Sequence, residues 1–360
     1  MKIQDVLKER ENNFTLMRLL AAFAVLFGHS YDLSQGRPGS DPITQLFIYP
    51  YWRESLPDLA VGLFFVSSGF LVGASYIHRQ NLIAFIEARA LRILPALFIA
   101  VLFCVFIVGS IATTLPLSEY LSSPSTWGYL KHNSILVTGI QYDLPGVFLT
   151  NPYAGSVNGS LWTLPVEVWM YFWVAVLGSL SMLKGAQTFN LFFVLICLLY
   201  AQSTEGGFFI AHEIRHAHLA LLFMIGTFVY VNREEVPLSF ILLGMLGILV
   251  YMTSTYSFSL YVKSVFFAYF VLILALHPKL QLPSIDRFGD ISYGLYIYAF
   301  PVQQTIAYLI PDVRPIPMFL LATMITIPLA MLSWRFIEKP ALKMKGNLPF
   351  FSGRRYIENE

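Results

Sequence analysis

Charge is scarce in this sequence: Asp, Glu, Lys and Arg together make up 12% of 360 residues, against roughly 25% in an ordinary soluble domain. With a hydrophobic fraction of 56% and a mean hydropathy of +0.64, that scarcity excludes a soluble globular enzyme and points to a polytopic membrane protein. Cysteine is nearly absent. Cys104 and Cys197 both lie in apolar stretches, where a thiol packs as a small apolar side chain, so neither a disulfide framework nor a metal pair is expected. No basic run with interleaved aromatics occurs and the net charge is only +2, which leaves no footprint for a nucleic-acid partner. Internal repeats, low-complexity tracts and a soluble catalytic domain are also lacking.

What is present is apolar sequence in lengths that suit a bilayer. Ten runs qualify, near 14-33, 59-77, 94-115, 160-181, 188-203, 217-232, 236-253, 259-277, 288-310 and 316-337. They predict an all-α bundle of about ten transmembrane spans: a cytosolic segment 1-13, a transmembrane domain 14-340 and a basic cytosolic tail 341-360. The first run is expected to be a retained span rather than a cleaved signal segment. With both termini in the cytosol, 17 of the 23 lysines and arginines fall on inner segments and six on outer ones, the bias that the positive-inside rule requires. Two outer connections are long, 34-58 and 116-159. They hold Phe47, Tyr49, Tyr51, Trp52, Trp127, Tyr129, Tyr142 and Tyr153, aromatics suited to an interfacial belt or to stacking on a sugar.

The first run carries Arg18 and His29, both costly inside a membrane and therefore candidates for function. Eleven residues separate them, about three helical turns plus roughly 20°, so both share one face about 16 Å apart along the axis. Asp32 lies on the same face. The alternatives are a snorkelling Arg18 and a packing His29.

Further along, Arg89 and Arg92 stand one helical turn apart ahead of the third run, two guanidinium forks that match phosphate oxygens or simply anchor the inner face. Gly159-Ser160-Leu161-Trp162-Thr163-Leu164-Pro165-Val166-Glu167 enters the fourth run, with Pro165 in a first turn that Thr163 or Ser160 can cap. Glu167 then sits shallowly in the membrane, where a carboxylate needs water or a partner. Ser67, Ser68 and Gly69 offer small residues for close helix approach in the second run; Ser67, Ser68, Ser160, Trp162 and Tyr293 are candidate oxyanion donors or cavity-lining groups. His212-Glu213-Ile214-Arg215-His216 matches the zincin pattern. His218 is too close to supply a third ligand, and Arg215 is unfavourable beside a dication, so no metal is expected.

In order along the chain, Arg18 and His29, Leu63 to Phe70, Arg89 with Arg92, Gly159 to Glu167, Ile291-Ser292-Tyr293-Gly294-Leu295-Tyr296 and Phe336-Ile337-Glu338-Lys339-Pro340 together resemble the acyltransferase-3 family of integral membrane acyltransferases. The resemblance implies transfer of an acyl group, usually acetyl, from cytosolic acyl-CoA to a hydroxyl of an extracytoplasmic or lipid-linked carbohydrate. It implies His29 as the catalytic histidine, with Arg18 supporting it; the histidine acts as base or acyl acceptor, and Asp32 or Glu167 is the candidate to orient its ring or favour the cation formed in transit. Arg89 and Arg92 would serve the donor. Acetyl-CoA is then a co-substrate and no cofactor is permanently bound; the setting is a bacterial inner membrane. Ala299 stands where the family often has histidine, and the esterase-like domain of some members is absent from this sequence. A transporter or flippase using the same intramembrane charges as a pathway is the alternative.

Overall fold

A computed structural model describes residues 1–8, 12–48, 52, 54–136, 139–202, 214–256, 258–285 and 289–346. Among them the protein is helical, with two isolated bridges, Lys2 to Pro237 and Thr113 to Val147, in place of any strand. A short α1, Ile3–Leu7, precedes α2, Phe14–Gln35. Next come α3, Leu56–Arg79, and α4, Leu82–Leu102, which continues through a π-helical segment, Phe103–Gly109, to Ala112. Two short helices, α5 (Leu117–Ser122) and α6 (Pro124–Ile135), occupy the second long connection. A 3₁₀ turn, Gly159–Trp162, leads into α7, Thr163–Ser179, followed by α8, Ala186–Gln202, α9, Ile214–Val231, α10, Phe240–Thr253, and α11, Ser259–Leu276. The chain closes with α12, Ser292–Leu309, and α13, Pro315–Ser333, which runs on through Trp334–Glu338 into α14, Lys339–Lys343.

Each of the ten apolar runs is thus occupied by a helix. By length and composition six can cross a membrane: α2, α3, the α4 rod to Ala112, Gly159–Ser179, α11 and the α13 rod to Lys343. This is a multi-pass membrane protein. Helices α8, α9 and α10 are apolar but shorter, and α12 is buried along nearly its whole length.

The residues form two compact units, one of Met1–Ala21, Asp58–Gln80 and Val166–Gly289, the other of Ala22–Pro57, Asn81–Pro165 and Asp290–Glu360. In the first unit Asn13 ties the start of α2 to the end of α11. Its amide donates to the Leu274 and Leu280 carbonyls at 2.9 and 2.8 Å, and its Oδ1 accepts from the Leu282 N–H at 3.0 Å. Carbonyls at a helix end otherwise lack a partner, so this polar side chain earns its buried position.

Helices α3 and α9 of the same unit meet backbone to backbone at Gly69 and Gly226. A Cβ on Gly69 would collide with the Phe223 carbonyl, and one on Gly226 with the Val66 carbonyl. Thr227 seals the crossing by donating to the Gly69 carbonyl at 3.0 Å. Gly69 of the second run therefore serves helix approach, as expected of a small residue there. Gly69→Ala is expected to destabilise the detergent-solubilised protein by about 1–3 kcal/mol, the usual cost of overpacking, read as a lower melting temperature. An unchanged melting temperature would mean that the two backbones are not in contact.

In the second unit, Gly294 of α12 faces Ala330 of α13, whose Cα lies 2.9 Å from where a Gly294 Cβ would stand. Pro301 interrupts the α12 hydrogen-bond ladder. The π-helical segment after α4 is braced from outside its own helix, where the Tyr120 hydroxyl of α5 donates to the Val105 carbonyl at 2.8 Å.

Candidate active site

The turn of α2 that carries His29 is held against α12. Gln303 donates through Nε2 to the Leu26 carbonyl at 2.8 Å and to Ser30 Oγ at 2.7 Å, and Ser30 in turn donates to Leu26 O at 2.8 Å. Leu26, His29 and Ser30 share one face of α2, so these bonds fix the backbone on either side of the imidazole. The His29 ring meets Phe300 edge-on, centroids 5.2 Å apart. Phe300 lies one turn before Gln303 on the same face of α12. On the other side of the histidine, Asp32 is buried and accepts from the Ser40 N–H at 3.3 Å.

The segment 151–160 is clamped to the same stretch of α12. Because Pro301 has no N–H, the Ile297 carbonyl loses its partner within the helix. Asn158 Nδ2 takes that carbonyl at 2.9 Å. Gln304 donates to the Tyr153 and Ser156 carbonyls at 2.8 and 2.7 Å, while Asn151 donates to Gln304 O and Oε1 at 2.9 and 2.8 Å. Tyr153 then packs edge-on against Phe300. Gly159 is required here, since a Cβ on it would stand 2.7 Å from the Phe300 ring.

The entry to α7 departs from its sequence reading. The helix is preceded by the 3₁₀ turn, and neither expected cap closes it. Ser160 Oγ has no hydrogen-bond partner among the described residues, and Thr163 Oγ1 is engaged with the Tyr296 hydroxyl at 2.8 Å. Trp162 is half-buried within the turn. Tyr293 is buried, and its hydroxyl is already spent on the Ile93 carbonyl at 3.1 Å.

Arg92 gathers three separate stretches of sequence at the other end of α12. It pairs with Asp290, just ahead of α12, and with Glu338 at 3.5 Å, and lies 5.9 Å from the centroid of the Tyr293 ring. Ser292 donates to Asp290 and Ser333 to Glu338, the latter at 3.0 Å. Arg92, Asp290 and Glu338 are only 14, 20 and 1% exposed, so this is a largely desolvated network rather than a surface pair. Arg89 stands one turn earlier on α4, half-buried.

Arg18, Ser67, Ser68 and Glu167 belong to the first unit, whereas His29, Ser160, Trp162, Tyr293, Arg89 and Arg92 belong to the second. Arg18 lies over the Phe64 ring at 5.9 Å. One turn along α3, Ser68 donates to Glu167 at 3.3 Å, and Tyr171 donates to the same carboxylate. Glu167 thus carries two hydroxyl donors, which meets its need for partners in an apolar setting. Ser67 is fully buried and its Oγ has no hydrogen-bond partner among the described residues.

His212 and Glu213 lie outside the described residues, as do Tyr49 and Tyr51. Within the pentad Arg215 is committed to Asp58 at 2.8 Å, and just after it His218 Nε2 shares a hydrogen bond with Ser264 Oγ at 3.2 Å. Among the described residues no three His, Cys, Asp or Glu side chains are grouped to hold a metal.

The sequence reading passed over Asn158, Ser156, Phe300 and Gln303. One signal for the last was present: Gln303 and Gln304 are adjacent amides inside an apolar run, where unpaired polar groups are costly.

Comparison with known proteins places this geometry in context. Residues 11–335 match the family model described as Acyltransferase domain. The chain is 30% identical over 342 residues to an O-acetyl transferase of Shigella phage Sf6, covering 92% of this chain and 96% of that protein. It is 28% identical to Nodulation protein 10 of Rhizobium leguminosarum bv. viciae, covering 94% and 95% respectively. It is also 23% identical to O-acetyltransferase OatA of Staphylococcus aureus (strain NCTC 8325 / PS 47), over 79% of this chain but only 52% of that longer protein. No solved structure matches the chain.

Proposed function

Because the chain belongs to the acyltransferase-3 family of integral membrane acyltransferases, we propose that it moves an acetyl group from cytosolic acetyl-CoA to a hydroxyl of an extracytoplasmic or lipid-linked glycan. Its ten apolar helices are then ten spans of a bacterial inner membrane, with both termini in the cytosol. The distribution of lysine and arginine supports that orientation.

The observation that carries the role of His29 is the bracing of its turn by Gln303 while the imidazole itself faces Phe300. A general base needs a fixed orientation. Neutral His29 takes the proton of the acceptor hydroxyl as that oxygen attacks the thioester carbonyl. The C–S bond breaks, and the coenzyme A thiolate leaves and recovers the proton. In the covalent variant, the imidazole accepts the acetyl group first and passes it on.

Arg18 and Glu167 support the reaction, with Ser68 and Tyr171 holding the carboxylate. Ser67, Ser68, Ser160 and Trp162 are the candidate donors to the developing oxyanion; Tyr293 is less available, its hydroxyl being used on Ile93. Arg89 and Arg92 serve the donor's phosphates, the Arg92 guanidinium while also meeting two carboxylates. No permanently bound cofactor is required.

The test is transfer of labelled acetyl from acetyl-CoA added to the cytosolic face of inverted membrane vesicles. Label is expected in a membrane-bound glycan fraction, with stoichiometric loss of thioester. Movement of a lipid-linked glycan without any thioester consumption would replace this reading with a flippase.

A further inference from the structure

The last membrane-crossing rod, α13 running on into α14, changes character along a single face. Leu320, Met324 and Leu332 are exposed, while Met318, Ala322, Thr326 and Ala330 are buried against the protein. In a helix long and apolar enough to cross a bilayer, that outward apolar face meets lipid. From Arg335 onward the same face turns cationic. Arg335, Lys339 and Lys343 recur four residues apart and are all exposed, so they stand on one side of the rod on successive turns. Each is followed by an exposed apolar residue, Phe336, Pro340 and Met344 in turn. The Arg335 guanidinium lies 5.5 Å from the centroid of the Phe336 ring.

These three charges are not answered within the protein. Lys2, Lys8, Arg92 and Arg215 each pair with a carboxylate, but among the described residues Arg335, Lys339 and Lys343 make no ion pair. Glu338, the one acid between Arg335 and Lys343, is 1% exposed and turned inward to Arg92. Like charges one turn apart repel, so the row is unfavourable until an anion meets it.

What surrounds the charges identifies the anion. A soluble phosphate would neutralise the row but leave Phe336 and Met344, 64 and 48% exposed, against water. A phospholipid meets both needs. Its phosphate sits on the cations, its glycerol and upper acyl carbons cover the apolar neighbours, and its tails continue along Leu332 and Met324. A zwitterionic headgroup brings an ammonium of its own to a row that is already positive, whereas a headgroup of net negative charge does not.

We infer that Arg335, Lys339 and Lys343, with Phe336 and Met344, form a binding site for an anionic phospholipid in the leaflet where α13 ends. In the orientation proposed above this is the cytosolic leaflet. The site does not depend on the acyltransferase reading.

The experiment is thermal unfolding of the full-length protein in a non-ionic detergent, titrated with phosphatidylglycerol, phosphatidylcholine or glycerol 3-phosphate. Phosphatidylglycerol is expected to raise the melting temperature more than phosphatidylcholine does, and glycerol 3-phosphate to leave it unchanged. Each Lys or Arg at an anionic surface strengthens binding about fivefold. The Arg335→Gln, Lys339→Gln, Lys343→Gln triple variant is therefore expected to need at least about tenfold more phosphatidylglycerol for the same increment above its own lipid-free melting temperature. Should the triple variant not fold, Lys343→Gln alone is read in the same way, with about a fivefold change. Equal increments from the two lipids, or a phosphatidylglycerol response undiminished by the substitutions, overturns the site. A shift with glycerol 3-phosphate as large as that with phosphatidylglycerol assigns the row to a soluble phosphate compound and overturns the lipid as its ligand.

Discussion

Vesicles carrying His29→Ala are expected to transfer acetyl at least about a hundredfold more slowly than wild type, the lower end of what a general base contributes. Stability should change far less. The bonds that hold this turn run through the Leu26 carbonyl and the Ser30 hydroxyl to Gln303, and none of them uses the imidazole. Alanine also favours the helix. The edge contact with Phe300 is lost, about 0.5–1.5 kcal/mol for an aromatic pair. The diagnostic is therefore the separation of a large loss of activity from a small loss of melting temperature. A folded variant that still transfers acetyl would move the base to another side chain.

Arg92→Ala is expected to cost about 3–5 kcal/mol, because it strips the partner from carboxylates held away from water. Glu338 is the group left most exposed to that penalty, being only 1% accessible. Arg89→Ala is expected to raise KM for acetyl-CoA while leaving the pairing of Asp290 and Glu338 with Arg92 in place. Unfolding midpoints and donor KM for the two variants, measured side by side, check both statements. If Arg92→Ala melts like the wild type and raises the donor KM alone, the guanidinium belongs to the phosphate and not to the fold.

The helices were legible in the sequence because a bilayer imposes length and hydropathy locally, and every expected run proved helical. Close approach at Gly69 was legible for the same reason: a small residue in an apolar helix has few other uses. The surroundings of His29 were not. Asn158 reaches Ile297 across 139 residues, Gln303 reaches Leu26 across 277, and Arg92 reaches Glu338 across 246. No window of sequence contains such a pair. The link between Pro301 and Asn158 shows the kind of step that is lost: the proline is visible at once, but the carbonyl it frees lies in a helix whose partner loop cannot be named from sequence. Arg89 and Arg92 look equivalent as letters, and the two carboxylates that meet Arg92 are brought to it only by the fold.

The contact between Tyr120 and the Val105 carbonyl bears on how this chain can change length. A π-helical segment spends one more residue than an α-helix over a similar rise. A single-residue deletion within Phe103–Gly109 can therefore be absorbed by closing the turn as α, whereas a deletion earlier in the same helix would swing every later side chain by roughly 100°. Closure would rotate the Val105 carbonyl away from the Tyr120 hydroxyl that now donates to it. Homologous chains one residue shorter here should accordingly have no need of a tyrosine at that position, so the two changes are expected to appear together.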